Sequence, residues 1–126
     1  MNASCQTTWE GSCLVASLSG EVDHHQAAAL REQLDEEISR KSAVKRPIHL
    51  IFSFEKVTFM DSSGIGVIMG RYNKIRETGG TVFITGCGDY VDRILEMSGI
   101  YTIARREESV AHALYQCGKA GQIYEQ

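Results

Sequence analysis

The sequence predicts an α/β fold, a mixed sheet faced with helices, and three observations lead there. Ile48-His49-Leu50-Ile51-Phe52-Ser53-Phe54 is a nearly continuous apolar run of strand length, as expected of a central strand buried on both faces. After it, strand-like and helix-like segments alternate at the spacing of crossovers between parallel strands. Before it, Glu10-Gly11-Ser12 separates two short runs in the manner of a hairpin turn, which adds an antiparallel pair.

In chain order, the first strand lies near Gln6 to Trp9 and the second is Cys13-Leu14-Val15-Ala16-Ser17-Leu18. A helix is predicted from about His24 to Arg40. Asp23 stands at its cap position with Gln26 three residues on, in the pattern of a capping box. Its apolar stripe is Ala27, Leu30, Leu34 and Ile38, and the face carrying Arg31, Glu32, Asp35 and Glu36 reads as solvated. The central strand follows Pro47, and Val57 to Met60 read as the end of a buried strand. Asp61-Ser62-Ser63 then opens a second helix, because short side-chain oxygens accept from the unpaired N–H groups of a first turn.

Gly79-Gly80 closes that helix, and Thr81 to Thr85 is another strand. Asp89 is placed as the cap of a shorter helix with Val91, Ile94 and Leu95 inward, ended by Gly99 with Ile100 tucked behind it. Tyr101 to Ala104 read as the next strand. Glu107 and Glu108 precede a last helix carrying Val110, Ala113, Leu114 and Cys117, and Gly118 to Gln126 read as a frayed tail.

Composition narrows the function classes. The 126 residues suffice for one domain with its own core, and a net charge of −3 with scattered Lys and Arg argues against nucleic acid and anionic membrane as partners. Cys5, Cys13, Cys87 and Cys117 lack Cys-x-x-Cys spacing and no secretory signal precedes them, so free thiols in a reducing cytoplasm are expected. His24 and His25 are adjacent on a helix and point about 100° apart, which does not suit one shared metal ion. His49 and His112 fall in a strand-like and a helix-like run and read as packing or surface residues.

The corner at Asp61-Ser62-Ser63 is where chemistry is most readily placed, at the carboxyl end of a strand. It lacks the Gly-x-Ser-x-Gly elbow of a hydrolase and the Gly-x-x-x-x-Gly-Lys-Ser/Thr of a phosphate-binding loop, which argues against catalysis by this chain. Phosphorylation of a serine there by another protein would add about −1.5 to −2 charge. Ile65, Ile68, Met69, Tyr72 and Ile75 share one face of the following helix, while Gly66, Gly70, Asn73 and Glu77 form a flanking stripe. Each interior glycine costs roughly 1 kcal/mol relative to alanine. Periodicity leaves two readings open: the stripe faces a neighbouring helix of the same chain, or it lets another protein's backbone approach the serines.

Phe59-Met60-Asp61-Ser62-Ser63-Gly64-Ile65-Gly66-Val67-Ile68-Met69-Gly70-Arg71-Tyr72, with Gly20-Glu21-Val22-Asp23-His24-His25 and Met97-Ser98-Gly99-Ile100, resembles the STAS-domain anti-sigma factor antagonists, most closely their sporulation members acting on the anti-sigma-F factor. The resemblance covers about Gln6 to Cys117, and its Asp-Ser-Ser-Gly block is the specific part. It implies a STAS fold of about five strands and about four helices over residues 1–126, with a core at about 6–117. It also implies phosphorylation at Ser62 and a partner surface comprising Glu21, Asp23, Asp61, Ser62, Ser63, Gly64, Gly66 and Gly70. The implied partners are an anti-sigma factor serine kinase, which supplies ATP and Mg²⁺ so that this chain holds no cofactor of its own, and a PP2C-type phosphatase. A cytoplasmic protein, monomeric when free, is expected. A basic Arg40 to Arg46 segment and the C-terminal tail depart from the family pattern. Two other readings are a stressosome-type scaffold or general-stress antagonist, and a STAS module that binds a small ligand or nucleotide.

Overall fold

The computed structural model describes residues 3–125. Strands β1 (Ser4–Glu10) and β2 (Cys13–Val22) form an antiparallel hairpin, followed by α1 (His24–Ser42), β3 (His49–Met60), α2 (Ser62–Glu77) and β4 (Val82–Thr85). Helix α3 (Asp89–Ser98), a 3₁₀ turn at Ile100–Thr102, β5 (Arg105–Glu107) and α4 (Val110–Glu125) complete the chain. The five strands form one sheet in the order β1-β2-β3-β4-β5, antiparallel at β1–β2 and parallel elsewhere. This is the mixed α/β architecture that the alternation of elements predicts.

Strand alternation divides the sheet between two apolar clusters. Leu14, Ala16 and Leu18 of β2, Leu50, Phe52 and Phe54 of β3, and Val82 and Ile84 of β4 pack on the main cluster, which takes in the inner faces of α1, α2 and α3. The intervening Cys13, Val15, Ile51 and Phe83 pack on Ala113 and Cys117 of α4. Burial on both faces explains why β3 reads as a continuous apolar run. In α1 the buried residues are Ala27, Leu30, Leu34 and Ile38, the predicted stripe. Cys5, Cys13, Cys87 and Cys117 are free thiols. Buried His49 accepts at Nδ1 from the Thr81 N–H at 3.0 Å, and burial lowers its pKa.

Several expectations need correction. Tyr101–Ala104 is not a strand: Ile100 and Ala104 are buried beneath α3, and pairing with β4 begins only at Arg105. Asp89 is the first residue of α3, whose cap is Gly88. Gly99 ends that helix with φ 82°, and Ile100 is buried behind it as predicted. Val57 to Phe59 are not buried, although Met60 is. In α2 the buried residues are Gly64, Val67, Ile68, Arg71 and Ile75, so the inward face is rotated from the predicted one and Met69 is exposed. Helix α4 runs on past Gly118 to Glu125, where a tail is expected; Gln126 lies outside the described residues.

The rotation of α2 places an arginine between two helices. Arg71 is 5% exposed, and its Nε lies 2.7 Å from Oδ1 of Asp35 on α1. The N–H is not aimed at that oxygen, and Nη1 is also without a hydrogen-bond partner among the described residues, so the pair is held by charge alone. Burial lowers the Arg71 pKa, and the Asp35 carboxylate works in the opposite direction. Asp35 therefore does not belong to a purely solvated face. Replacing one member of a buried pair leaves the other charge uncompensated. Asp35→Leu is expected to lower unfolding free energy by about 2–3 kcal/mol, and Asp35→Leu with Arg71→Met to recover most of it. Urea denaturation of wild type and both variants checks this.

Candidate functional site

Strands β2 and β3 end side by side, with Val22 opposite Met60, and the Asp61 N–H reaches the Val22 carbonyl at 3.4 Å. One residue beyond each strand an aspartate starts a helix. Asp23 caps α1, its Oδ1 accepting from the N–H groups of His25 at 3.0 Å and Gln26 at 3.3 Å. Asp61 caps α2, its Oδ1 accepting from the Ser63 N–H at 2.8 Å, while its carbonyl accepts from the Gly64 N–H at 3.0 Å. Two helix N-termini thus open on the same edge of the sheet, at the carboxyl ends of its two longest strands.

Within this corner Ser62 is the first residue of α2 and is exposed, whereas Ser63 is half-buried. No acidic residue occupies the first turn of either α1 or α2, so the positive ends of both helices are offset chiefly by their capping aspartates. Glu21, in the last turn of strand pairing, lies opposite Phe59. The chain therefore gathers Glu21, Asp23, Asp61, Ser62 and Ser63 at one edge.

The three glycines of α2 divide into two kinds. Gly64 is buried, and a Cβ there would lie 2.4 Å from Cγ of Met60 and 3.2 Å from Cγ1 of Val22. Gly64, expected among the partner contacts, is thus packed on the strand ends, where its lack of a side chain lets α2 close down. At Gly66 and Gly70 a Cβ would meet nothing within 4 Å. Their stripe therefore does not face another helix of this chain, and the outer flank of α2 beside Ser62 is an open strip of bare backbone.

Pattern reading misses an aromatic pair at the same corner. Phe59 and Tyr90 are 39% and 52% exposed with ring centroids 6.3 Å apart, and the Tyr90 hydroxyl donates to the Met60 carbonyl at 3.2 Å. Apolar residues in a strand count as core by default, and only the loss of pairing beyond the end of β4 exposes Phe59. The His24 and His25 rings lie 3.9 Å apart, tilted by 38°, at the start of α1, and among the described residues no three His, Cys, Asp or Glu side chains gather as a metal site. No helix among those residues is long and apolar enough to cross a membrane.

Residues 5–118 match the STAS domain family model. The chain is 37% identical to the anti-sigma F factor antagonist of Paenibacillus polymyxa over 114 residues, 90% of this chain and 94% of that protein. Its backbone resembles the phosphorylated form of the Bacillus cell fate determinant SpoIIAA, with a TM-score of 0.69, 24% identity, and coverage of 90% and 98% of the two chains. An anti-sigma factor antagonist from Mycobacterium paratuberculosis is similar in fold at a TM-score of 0.77, with 22% identity and coverage of 92% and 94%. Both solved structures share the fold described above. The chain belongs to the STAS domain family.

Proposed function

We propose that this chain is an anti-anti-sigma factor switched by phosphorylation at Ser62. Unphosphorylated, it binds an anti-sigma factor serine kinase and thereby releases the sigma factor. The observation that carries the reading is the exposure of Ser62 at the first position of α2, beside the open strip at Gly66 and Gly70, in a chain whose Paenibacillus relative bears the name of an anti-sigma F factor antagonist. The partner closes over the corner and α2's outer flank, and Glu21 and Asp23 stand where its basic residues meet carboxylates. Transfer joins the Ser62 Oγ to the γ-phosphorus of the kinase's ATP, ADP departs, and a base of the kinase takes the hydroxyl proton. Mg²⁺ and nucleotide come with the kinase, so this chain acts as substrate and binding partner, not as an enzyme.

The phosphate on Ser62 sits at a helix N-terminus, whose unpaired N–H groups and dipole favour it. It also adds bulk and negative charge beside Asp61 and the Asp23 cap, on the surface the kinase grips. The product therefore binds its kinase more weakly than the substrate does, and the sigma factor is recaptured. A PP2C-type phosphatase restores the unmodified serine. We place the protein in the cytoplasm as a monomer of one STAS domain, acting in sporulation.

Ser62→Ala is expected to take up no phosphate and to hold the anti-sigma factor with ATP present, whereas Ser62→Asp binds poorly from the start. Ser63→Ala still gains one phosphate. Intact mass measured beside complex formation reads all three, and phosphorylation of Ser62→Ala, or equal binding by modified and unmodified wild type, overturns the reading. Gly66→Leu and Gly70→Leu project into open space, so both fold as stably as wild type or better, yet weaken anti-sigma binding by about tenfold or more, which is ~1.4 kcal/mol. Calorimetric titration against thermal melts separates the two effects. Asp23→Asn keeps a capping side chain and removes its charge; weaker binding with a shallower salt dependence is expected, and affinity unchanged at low and high salt leaves Asp23 as a cap only.

A further inference from the structure

On the face of the sheet opposite α1 and α2, the covering provided by α4 begins at Val110, and beyond it the strands present polar residues. Gln6, Ser17, Ser53, Thr85 and Glu107 are successive register partners across all five strands. Alternation puts them on the face of Val15, Ile51 and Phe83, one row beyond the apolar patch that α4 buries. Ser53 is the one hydroxyl in a strand half that is otherwise apolar apart from His49, and it is only 7% exposed. A cleft of about 290 Å³ lies over the β1–β3 part of this row, floored by Ser17, Ser19 and Ser53, with Val110 at one end. The hydroxyls of Ser4 and Ser19 meet at its rim, 2.6 Å apart.

Two charges border the cleft because the strand pairing is irregular there. Ser17 pairs with Ser53, but Ser19 pairs with Lys56, so β3 carries an extra residue at this point. In a regular strand Glu55 and Lys56 point to opposite faces; the bulge brings both to the cleft. Both are exposed, and among the described residues neither is held in an ion pair. The lining thus offers one carboxylate, one ammonium and several hydroxyls able both to donate and to accept.

We propose that this cleft binds a small zwitterion, an α-amino acid, with its ammonium toward Glu55, its carboxylate toward Lys56 and the serine hydroxyls beneath. A single-charge ligand leaves one of the two bordering groups unanswered, and an apolar ligand finds only Leu18 and Val110 among the lining residues. The site lies across the sheet from the Ser62 corner and does not depend on the function proposed for that corner.

The test is a titration of the ¹⁵N-labelled full chain with the proteinogenic α-amino acids one at a time, read by amide chemical shifts. The expected result is a saturable change confined to residues 17–19 and 53–56 for at least one of them. Its N-acetyl and carboxamide derivatives, each lacking one charge, bind about tenfold more weakly or worse. Lys56→Met and Glu55→Gln, both at exposed positions, cause the same loss while the rest of the spectrum is unchanged. Absence of saturable shifts with every amino acid, shifts centred elsewhere, or equal binding of the singly charged derivatives overturns the proposal.

Discussion

The register of β3 against β2 is the constraint on which the rest of this structure depends. The pair starts with Cys13 opposite His49 and ends with Val22 opposite Met60, and two register shifts in between give β3 two extra residues. Without them Val22 would face Thr58, and the serine corner would stand about 6–7 Å further along the strand direction at ~3.3 Å per residue. The shifts draw the corner back until Asp61 is level with Asp23. Helices α1 and α2 consequently start abreast, descend the same face together and meet through Arg71 and Asp35. The first of the same shifts turns Glu55 and Lys56 to the opposite face.

Much of this was legible in the sequence, because the signals were local. Asp23 reads as a cap from its own residue type and its place before Ala27, Leu30, Leu34 and Ile38, and the structure has it accepting from two N–H groups. The Asp61-Ser62-Ser63 corner is legible for the same reason. Tyr101 to Ala104 misled because apolar content alone cannot separate a short strand from a turn that plugs the core. The true edge strand, Arg105–Glu107, is charged and three residues long, as edges often are. The rotation of α2 was hidden by Arg71, which any hydrophobic wheel assigns to solvent, and by Gly64, whose burial reflects Met60 and Val22 rather than its own chemistry.

The candidate site was accordingly clear in its residues and ambiguous in its facing. Periodicity placed Gly66 and Gly70 on a flank of α2 without saying what the flank looks at, since that depends on where the other helices pack. The aromatic pair Phe59–Tyr90 joins residues thirty-one positions apart and has no local signature at all. The register shifts in β3 are equally silent in sequence, being a property of two strands together.

The bare flank of α2 has a consequence for how firmly its first turns are held. Gly64, Gly66 and Gly70 fall within the first nine residues of the helix, and at about 1 kcal/mol each they remove roughly 3 kcal/mol of intrinsic helical tendency relative to alanine. What keeps the segment wound is its docking onto the sheet, chiefly through Val67, Ile68 and Ile75, with Gly64 and the half-buried Ile65 the contacts of the opening turn. Fluctuations that unwind the Ser62 end while Ile75 stays seated therefore lie at the inexpensive end of the protein's opening spectrum, and amide hydrogens there exchange with solvent well before those of β3. Ser62 is thus carried by the part of α2 that lets go most easily.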